Sequence, residues 1–225
     1  MKVGVVQFPG TNCELDVLHA VEALGAEPEL LFHADATVRG VDAVVVPGGF
    51  AHGDYLRAGA IARFSAVMDA VAEHAGAGGP VVGICNGFQV LTEAGLLPGA
   101  LQRNAGLKFV CQPVDLRVET VTTVLTNQAT VGQILRIPVN HFEGNYVCDD
   151  RTLDALRAEE RVVVRYVANP NGARDDIAGI CNEARNVVGL MPHPERASDP
   201  LLGSTDGLVM LRSLLASVTV ASSGQ

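Results

Sequence analysis

One cysteine stands where an apolar run changes into a helical pattern. The run Val81-Val82 leads into Gly83, Cys85 and Gly87, and the apolar positions that follow have helical spacing. Gly-x-Cys-x-Gly between a strand and a helix is the cysteine counterpart of the nucleophile elbow of hydrolases. The turn leaves no room for a β-carbon two residues away on either side. The sulfur lies at a helix N-terminus, which favours the thiolate. The motif therefore predicts Cys85 as the nucleophile of covalent catalysis.

A thiol nucleophile needs a base, and without one Cys85 would be interpreted as a buried core residue. The sequence has six histidines, of which His52 and His141, in predicted loops, remain open candidates. His193 differs because Glu195 follows it two residues later, and residues i and i+2 of an extended segment project to the same side. The carboxylate can then accept from one imidazole nitrogen while the other nitrogen faces the sulfur. The sequence therefore predicts a triad of Cys85, His193 and Glu195.

A tetrahedral intermediate at Cys85 also needs donors for its oxyanion. The backbone N–H of Asn86, directly after the nucleophile, is one natural donor. The turn Gly48-Gly49 is the second candidate, because backbone amides without side chains can approach a substrate closely. A plain strand-to-loop connection explains the same two glycines equally well, so both interpretations stay open.

The surrounding segments predict an α/β fold with a doubly wound, mostly parallel sheet flanked by helices. Short β runs are expected at residues 3–6, 30–32, 41–46 and 187–190, and helices at about 12–24, 60–74, directly after Cys85, and 206–215. Short β-branched runs between residues 107 and 167 predict a small antiparallel β portion beside the main sheet. Ligands of open α/β sheets bind at the carboxyl ends of strands. Gly48-Gly49, Cys85 and His193 each follow such an end, so we expect them to meet.

Composition excludes several classes of function. The chain has 225 residues, 48% of them hydrophobic, and a net charge of -9 without a basic cluster, which argues against nucleic-acid binding. Its five cysteines form no C-x-x-C pair, so neither a disulfide framework nor a metal site is expected. No membrane span and no signal peptide are visible. We therefore expect one domain over residues 1–225, located in the cytoplasm.

Three motifs resemble the class I, or triad-type, glutamine amidotransferases. They are Val45-Val46-Pro47-Gly48-Gly49-Phe50, Gly83-Ile84-Cys85-Asn86-Gly87-Phe88-Gln89 and Pro192-His193-Pro194-Glu195-Arg196-Ala197. Within that family, the residues 53–60, the residue Asn86 after the nucleophile and the segments 169–172 and 176–180 are similar to the glutaminase subunits of phosphoribosylformylglycinamidine synthases. The resemblance covers essentially the whole chain.

This resemblance implies roles for individual residues. Cys85 would be the nucleophile, His193 the base and Glu195 its orienting group, while Gln89 would help to hold the α-amino and carboxylate end of glutamine. The loop that contains His141 would border the same pocket. Two positions depart from the family pattern: Phe142 stands where glycine is common, and Ala51-His52 replaces a serine–aromatic pair.

The implied function is glutamine hydrolysis that supplies ammonia to a synthetase in purine biosynthesis. The sequence has no G-x-x-x-x-G-K-[ST] loop, so no cofactor is expected on this chain. The resemblance implies ATP and Mg on a large synthetase subunit, with a small bridging subunit in the same complex. Three alternatives remain: a glutaminase subunit for another acceptor, a cysteine hydrolase of related fold that does not use glutamine, and an inactive binding subunit.

Overall fold

A computed structural model describes residues 1–222, so residues 223–225 of the expected domain lie outside the described part. Its strands are β1 (Lys2–Gln7), β2 (Glu27–Phe32), β3 (Ala43–Val46), β4 (Val81–Ile84), β5 (Ala100–Gln102), β6 (Val110–Val118), β7 (Ile134–His141), β8 (Asn145–Val147), β9 (Val162–Tyr166), β10 (Ile177–Cys181) and β11 (Val187–Leu190). Its α-helices are α1 (Glu14–Ala23), α2 (Ala66–Gly76), α3 (Asn86–Glu93), α4 (Asp150–Ala158) and α5 (Gly207–Ser222).

Nine of these strands form one mixed sheet in the order β2-β1-β3-β4-β11-β10-β9-β6-β7. The pairs from β2 to β11 are parallel, and those from β11 to β7 are antiparallel. A separate antiparallel sheet pairs β5 with β8. The expected α/β fold is confirmed. The antiparallel portion continues the main sheet, with β5 and β8 beside it.

The central strands β3, β4 and β11 are buried along their whole length. Their sequences are almost continuous apolar runs, as expected for strands covered on both faces. Leu190 pairs with Ile84, and Val46 pairs with Gly83. This register brings the three carboxyl ends to one edge of the sheet. The expected meeting of the glycine turn, the elbow and the His193 loop is therefore confirmed.

Three local expectations differ from the structure. The helix expected from residue 60 begins at Ala66, because Ser65 has extended backbone angles that separate it from a 3₁₀ turn at Ala62–Phe64. Helix α4 was not expected; the Asp149 side chain caps it by accepting from the Thr152 N–H at 2.8 Å. Strand β10 was not expected either. It is buried between β9 and β11, the strands before and after it in the chain, and pairs antiparallel with both.

Candidate active site

The elbow at Cys85 has the backbone that the glycine spacing predicts. Cys85 has φ 51 and ψ -105, a conformation that non-glycine residues rarely adopt. A β-carbon on Gly87 would come within 1.8 Å of the Val46 carbonyl oxygen, and one on Gly83 within 2.7 Å of the Gly87 backbone. Helix α3 can therefore lie directly against the sheet only because both positions are glycine. Strain of this kind concentrates at functional sites.

His193 and Glu195 form a buried pair at the neighbouring strand end. Nδ1 of His193 lies 2.6 Å from Oε1 of Glu195, and both side chains are almost fully buried. Nε2 of His193 has no hydrogen-bond partner among the described residues. Burial alone lowers the pKa of His193, but the charges of Glu195 and Cys85 raise it, and the net pKa lies well above its ordinary value. A protonated imidazole can stabilise a thiolate and later give its proton to a leaving group.

The glycine turn after β3 provides the space in which base and nucleophile meet. A β-carbon on Gly48 would lie 2.7 Å from Cε1 of His193 and 3.5 Å from Cβ of Cys85. Gly49 has φ +147, and a β-carbon there would lie within 2.8 Å of the backbone of Thr11 and Asn12. Both positions therefore require glycine for close packing, one against the triad and one against the loop after β1.

The side chains of Asn86 and Gln89 hold the loops around the elbow. The Ala51 N–H donates to Oδ1 of Asn86 at 3.0 Å, and Nδ2 of Asn86 donates to Gln89 Oε1 at 2.8 Å and to Asp54 Oδ1 at 3.1 Å. Nε2 of Gln89 donates to the Glu143 carbonyl oxygen at 2.6 Å. Helix α3 thus carries the nucleophile and also fixes two loops on either side of it. Because Asn86 opens the helix, its own N–H has no carbonyl partner within the helix.

A cavity of about 250 Å³ has the thiol of Cys85 in its wall. Of the residues predicted from sequence, Gly49, Gln89, His141 and His193 also line it. Its size and position suit a small polar substrate whose reactive atom lies against the sulfur.

Three predicted residues, Gly48, Asn86 and Glu195, lie behind the cavity wall and are absent from its lining. Glu195 reaches the cavity only through His193. The side chain of Asn86 is occupied by the loop after β3 and by Gln89, so only its backbone amide can serve the reacting group.

His141 is held by a residue that the sequence did not indicate. Oδ1 of the buried Asn104 lies 3.1 Å from Nδ1 of His141 and accepts from the Gly144 N–H, while Nδ2 donates to the His141 carbonyl oxygen at 3.0 Å. Burial and the nearby His193 lower the pKa of His141 to about 4. His141 is therefore neutral at pH 7 and cannot replace His193 as the protonated imidazole that stabilises a thiolate. No local motif around Asn104 predicts this contact.

A second cysteine borders the base and was also missed. Cys13 is buried, lines the same cavity and interacts with His193. Arg196 donates from an Nη to its sulfur at 3.1 Å, and Nε of Arg196 donates to Asp16 at 3.0 Å. Cys13 follows the carboxyl end of β1, so the strand-end rule applied to every strand would have drawn attention to it.

A glutamine-like chloroketone should alkylate Cys85 at least about tenfold faster than any other cysteine, because reactivity follows thiolate character and access. Burial raises the pKa of Cys181 to about 11 and also raises the pKa of Cys148. Cys111 is exposed but lies outside the cavity, and Cys13 shares the cavity but is not on the elbow. Peptide mapping after a brief treatment measures how much label each cysteine carries. Labelling of Cys13 or Cys111 to the same extent would contradict the assignment.

Comparison with known proteins decides the family. The model of the CobB/CobQ-like glutamine amidotransferase domain matches residues 1–206. Phosphoribosylformylglycinamidine synthase subunit PurQ of Rubrobacter xylanophilus is 62% identical over 220 residues, which are 98% of this chain and 100% of that protein. The chain belongs to the PurQ family of glutamine amidotransferases. The Koribacter versatilis PurQ subunit is 53% identical over 228 residues, covering 97% of this chain and 99% of that protein.

The PurQ family also accounts for the fold. A chain in the structure of PurLQS from Thermotoga maritima superposes with a TM-score of 0.89 at 43% identity, covering 96% of this chain and 98% of that one. The mixed sheet with its elbow at β4 is therefore the PurQ architecture. Among residues 1–222, no helix is both long and apolar enough to cross a membrane.

Proposed function

We propose that this chain is the glutaminase subunit of a phosphoribosylformylglycinamidine synthase. It hydrolyses glutamine to glutamate and ammonia and passes the ammonia to an ATP-dependent synthetase subunit. That subunit makes formylglycinamidine ribonucleotide in purine biosynthesis. The observation that carries this proposal is the strained Cys85 elbow beside the buried His193–Glu195 pair. The 62% identity to a PurQ subunit over the full length supports the choice of acceptor.

In the first half of the proposed reaction, the Cys85 thiolate attacks the side-chain carboxamide carbon of glutamine. Negative charge develops on the carboxamide oxygen, where preorganised backbone amides stabilise it. The N–H of Asn86 is one such donor, and the Gly48-Gly49 turn supplies the other. His193 gives its proton to the amide nitrogen, the C–N bond breaks, and ammonia departs from a γ-glutamyl thioester on Cys85.

In the second half, His193 acts as the base. It takes a proton from a water molecule, which attacks the thioester carbonyl carbon, and the resulting intermediate expels Cys85 and releases glutamate. Glu195 accepts from Nδ1–H throughout, which keeps Nε2 directed at the reacting atoms and stabilises the imidazolium when it forms. We assign Gln89 and the His141 loop to the substrate pocket, because both line the cavity.

The proposal also assigns the partners. The synthetase chemistry, with ATP and Mg, belongs to a large partner subunit, and a small bridging subunit completes the complex, in the cytoplasm. The PurLQS assembly of the structural relative supports two further subunits. A glutaminase subunit for another acceptor, or a cysteine hydrolase that does not use glutamine, is less well supported because the full-length relatives are PurQ subunits.

The proposal is tested by the dependence of hydrolysis on the complex. The isolated chain should hydrolyse glutamine slowly, and turnover should rise about 10- to 100-fold in the assembled complex loaded with ATP and acceptor, a typical range for coupled sites. The loop 50–59 suits such coupling. His52, Asp54 and Leu56 have positive φ, each costing about 1–3 kcal/mol, Leu56 is 81% exposed, and Phe50 and Asp54 line the cavity.

Glutaminase turnover of the isolated chain is compared with that of the complex, with and without ATP and acceptor. The complex without its ligands is the control that separates assembly from ligand binding. Equal turnover in all three states would mean that the two sites are not coupled, and the chain would then be a free-standing glutamine hydrolase.

A further inference from the structure

Two carboxylates in the wall of the active-site cavity have no part in the reaction derived above. Asp54 comes from the loop after β3, and Glu143 from the loop after β7. Neither forms a hydrogen bond or an ion pair with the triad, and hydrolysis of an amide needs no further acid or base. Their position beside Cys85 therefore calls for a separate explanation.

Helix α3 fixes both carboxylate-bearing segments relative to the nucleophile. Nδ2 of Asn86 donates to Asp54 Oδ1 at 3.1 Å and to Gln89 Oε1 at 2.8 Å. Nε2 of Gln89 then holds the backbone carbonyl oxygen of Glu143 at 2.6 Å. One continuous chain of amide hydrogen bonds thus joins the two segments through helix α3, which begins directly after Cys85. These bonds hold the carboxylate of Asp54 and the backbone of Glu143 in place.

The negative charge at this position is only partly balanced by a cation. Burial and the charge of Glu143 raise the pKa of Asp54, the hydrogen bond from Asn86 opposes them, and the net pKa is about 6. Among residues 1–222, no basic side chain forms an ion pair with Asp54. Glu143 has only Arg103, whose Nε lies 3.7 Å away and whose side chain is 69% exposed. A cation bound between the two carboxylates would relieve their repulsion.

We infer that Asp54 and Glu143 bind the α-ammonium group of glutamine, an inference that rests on the proposed function. Glutamine carries its ammonium group a short aliphatic chain away from the carboxamide that reacts with Cys85. Cys85, Asp54 and Glu143 line the same cavity of about 250 Å³, which can hold the carboxamide at the sulfur and the ammonium group at the carboxylates. The two acids then select amino acids over simple carboxamides. They are substrate-binding residues and not catalytic ones.

Two chloroketones test this inference without requiring turnover. They are L-2-amino-4-oxo-5-chloropentanoate and 5-chloro-4-oxopentanoate, which differ only in the α-ammonium group. For the unchanged chain we expect faster alkylation of Cys85 by the amino compound. Asp54→Asn should slow alkylation by the amino compound about 10- to 100-fold, the value of a charge-assisted hydrogen bond, and leave the other rate unchanged. Asparagine keeps the acceptor for Asn86 and tolerates the positive φ at this position.

A matched control and a second variant make the test decisive. Asp69→Asn makes the same change on the exposed surface of α2 and should alter neither rate. Glu143→Gln should also slow alkylation by the amino compound alone, but by a smaller factor than Asp54→Asn, because Arg103 already offsets part of the Glu143 charge. It replaces Asp54→Asn if that variant does not fold. With glutamine in the assembled complex, both variants should raise KM and leave kcat nearly unchanged.

If Asp54→Asn and Glu143→Gln slow alkylation by both compounds to the same degree, or slow neither, the inference is overturned. Failure of the amino compound to label Cys85 in the unchanged chain would instead contradict the proposed function. The two failures are therefore distinguishable in one experiment.

Discussion

Replacement of Cys85 by serine should lower glutamine hydrolysis by at least about 10³-fold, since loss of a nucleophile costs this much or more in related catalytic units. The elbow geometry, φ 51 with Gly83 and Gly87 packed against the sheet and helix, places only this thiol at the head of α3. Serine fits the same space but is a poorer nucleophile at neutral pH. The measurement is glutamate release by the assembled complex.

Cys111→Ser is the matched control, because Cys111 is exposed on β6 and lies outside the cavity. It should retain full activity. Residual hydrolysis by Cys85→Ser close to that of the unchanged enzyme would show that another group is the nucleophile. Cys13 is then the first alternative to examine, since it shares the cavity with His193.

His193→Ala should lose nearly as much activity as Cys85→Ser, whereas Glu195→Gln should retain about 10- to 100-fold more than His193→Ala. An orienting group generally matters less than the nucleophile or base. The structure gives a reason: glutamine at position 195 can still accept from Nδ1, 2.6 Å away, but no longer raises the pKa of His193 by its charge. Steady-state kcat/KM of the three variants measures the order.

The double variant Cys85→Ser with His193→Ala tests whether the residues act as one unit. Once one member of a catalytic unit is removed, removing the second costs little more, so the double variant should be about as active as the less active single variant. If the two losses multiply, the residues contribute independently, and the assignment of His193 as the base of Cys85 is wrong.

The sequence predicted the parts of the site that depend on local patterns. Glycines on both sides of Cys85 and the apolar runs of β4 and β11 are local signals, and the structure has the elbow and the strand ends where they indicated. The spacing of His193 and Glu195 was equally informative, because neighbouring extended residues can share a side whatever the rest of the fold does.

The rest of the site depends on contacts between distant segments. The bonds from Asn86 to Asp54 and from Gln89 to Glu143 join residues 32 and 54 positions apart. Asn104 reaches His141 across 37 positions, and Arg196 reaches Cys13 across 183. No periodicity or motif encodes such pairs. Strand β10 is a different case, because its partners β9 and β11 are its neighbours along the chain.

The central claim is that this chain supplies ammonia, made at Cys85, to a synthetase on another subunit. Its most direct test is product formation by a reconstituted complex containing Cys85→Ser, with glutamine or ammonium as the nitrogen source. We predict no product from glutamine and the full rate of the unchanged complex from ammonium. Glutamine-dependent product formation by this variant, or loss of the reaction with both nitrogen sources in a complex that assembles, would contradict the claim.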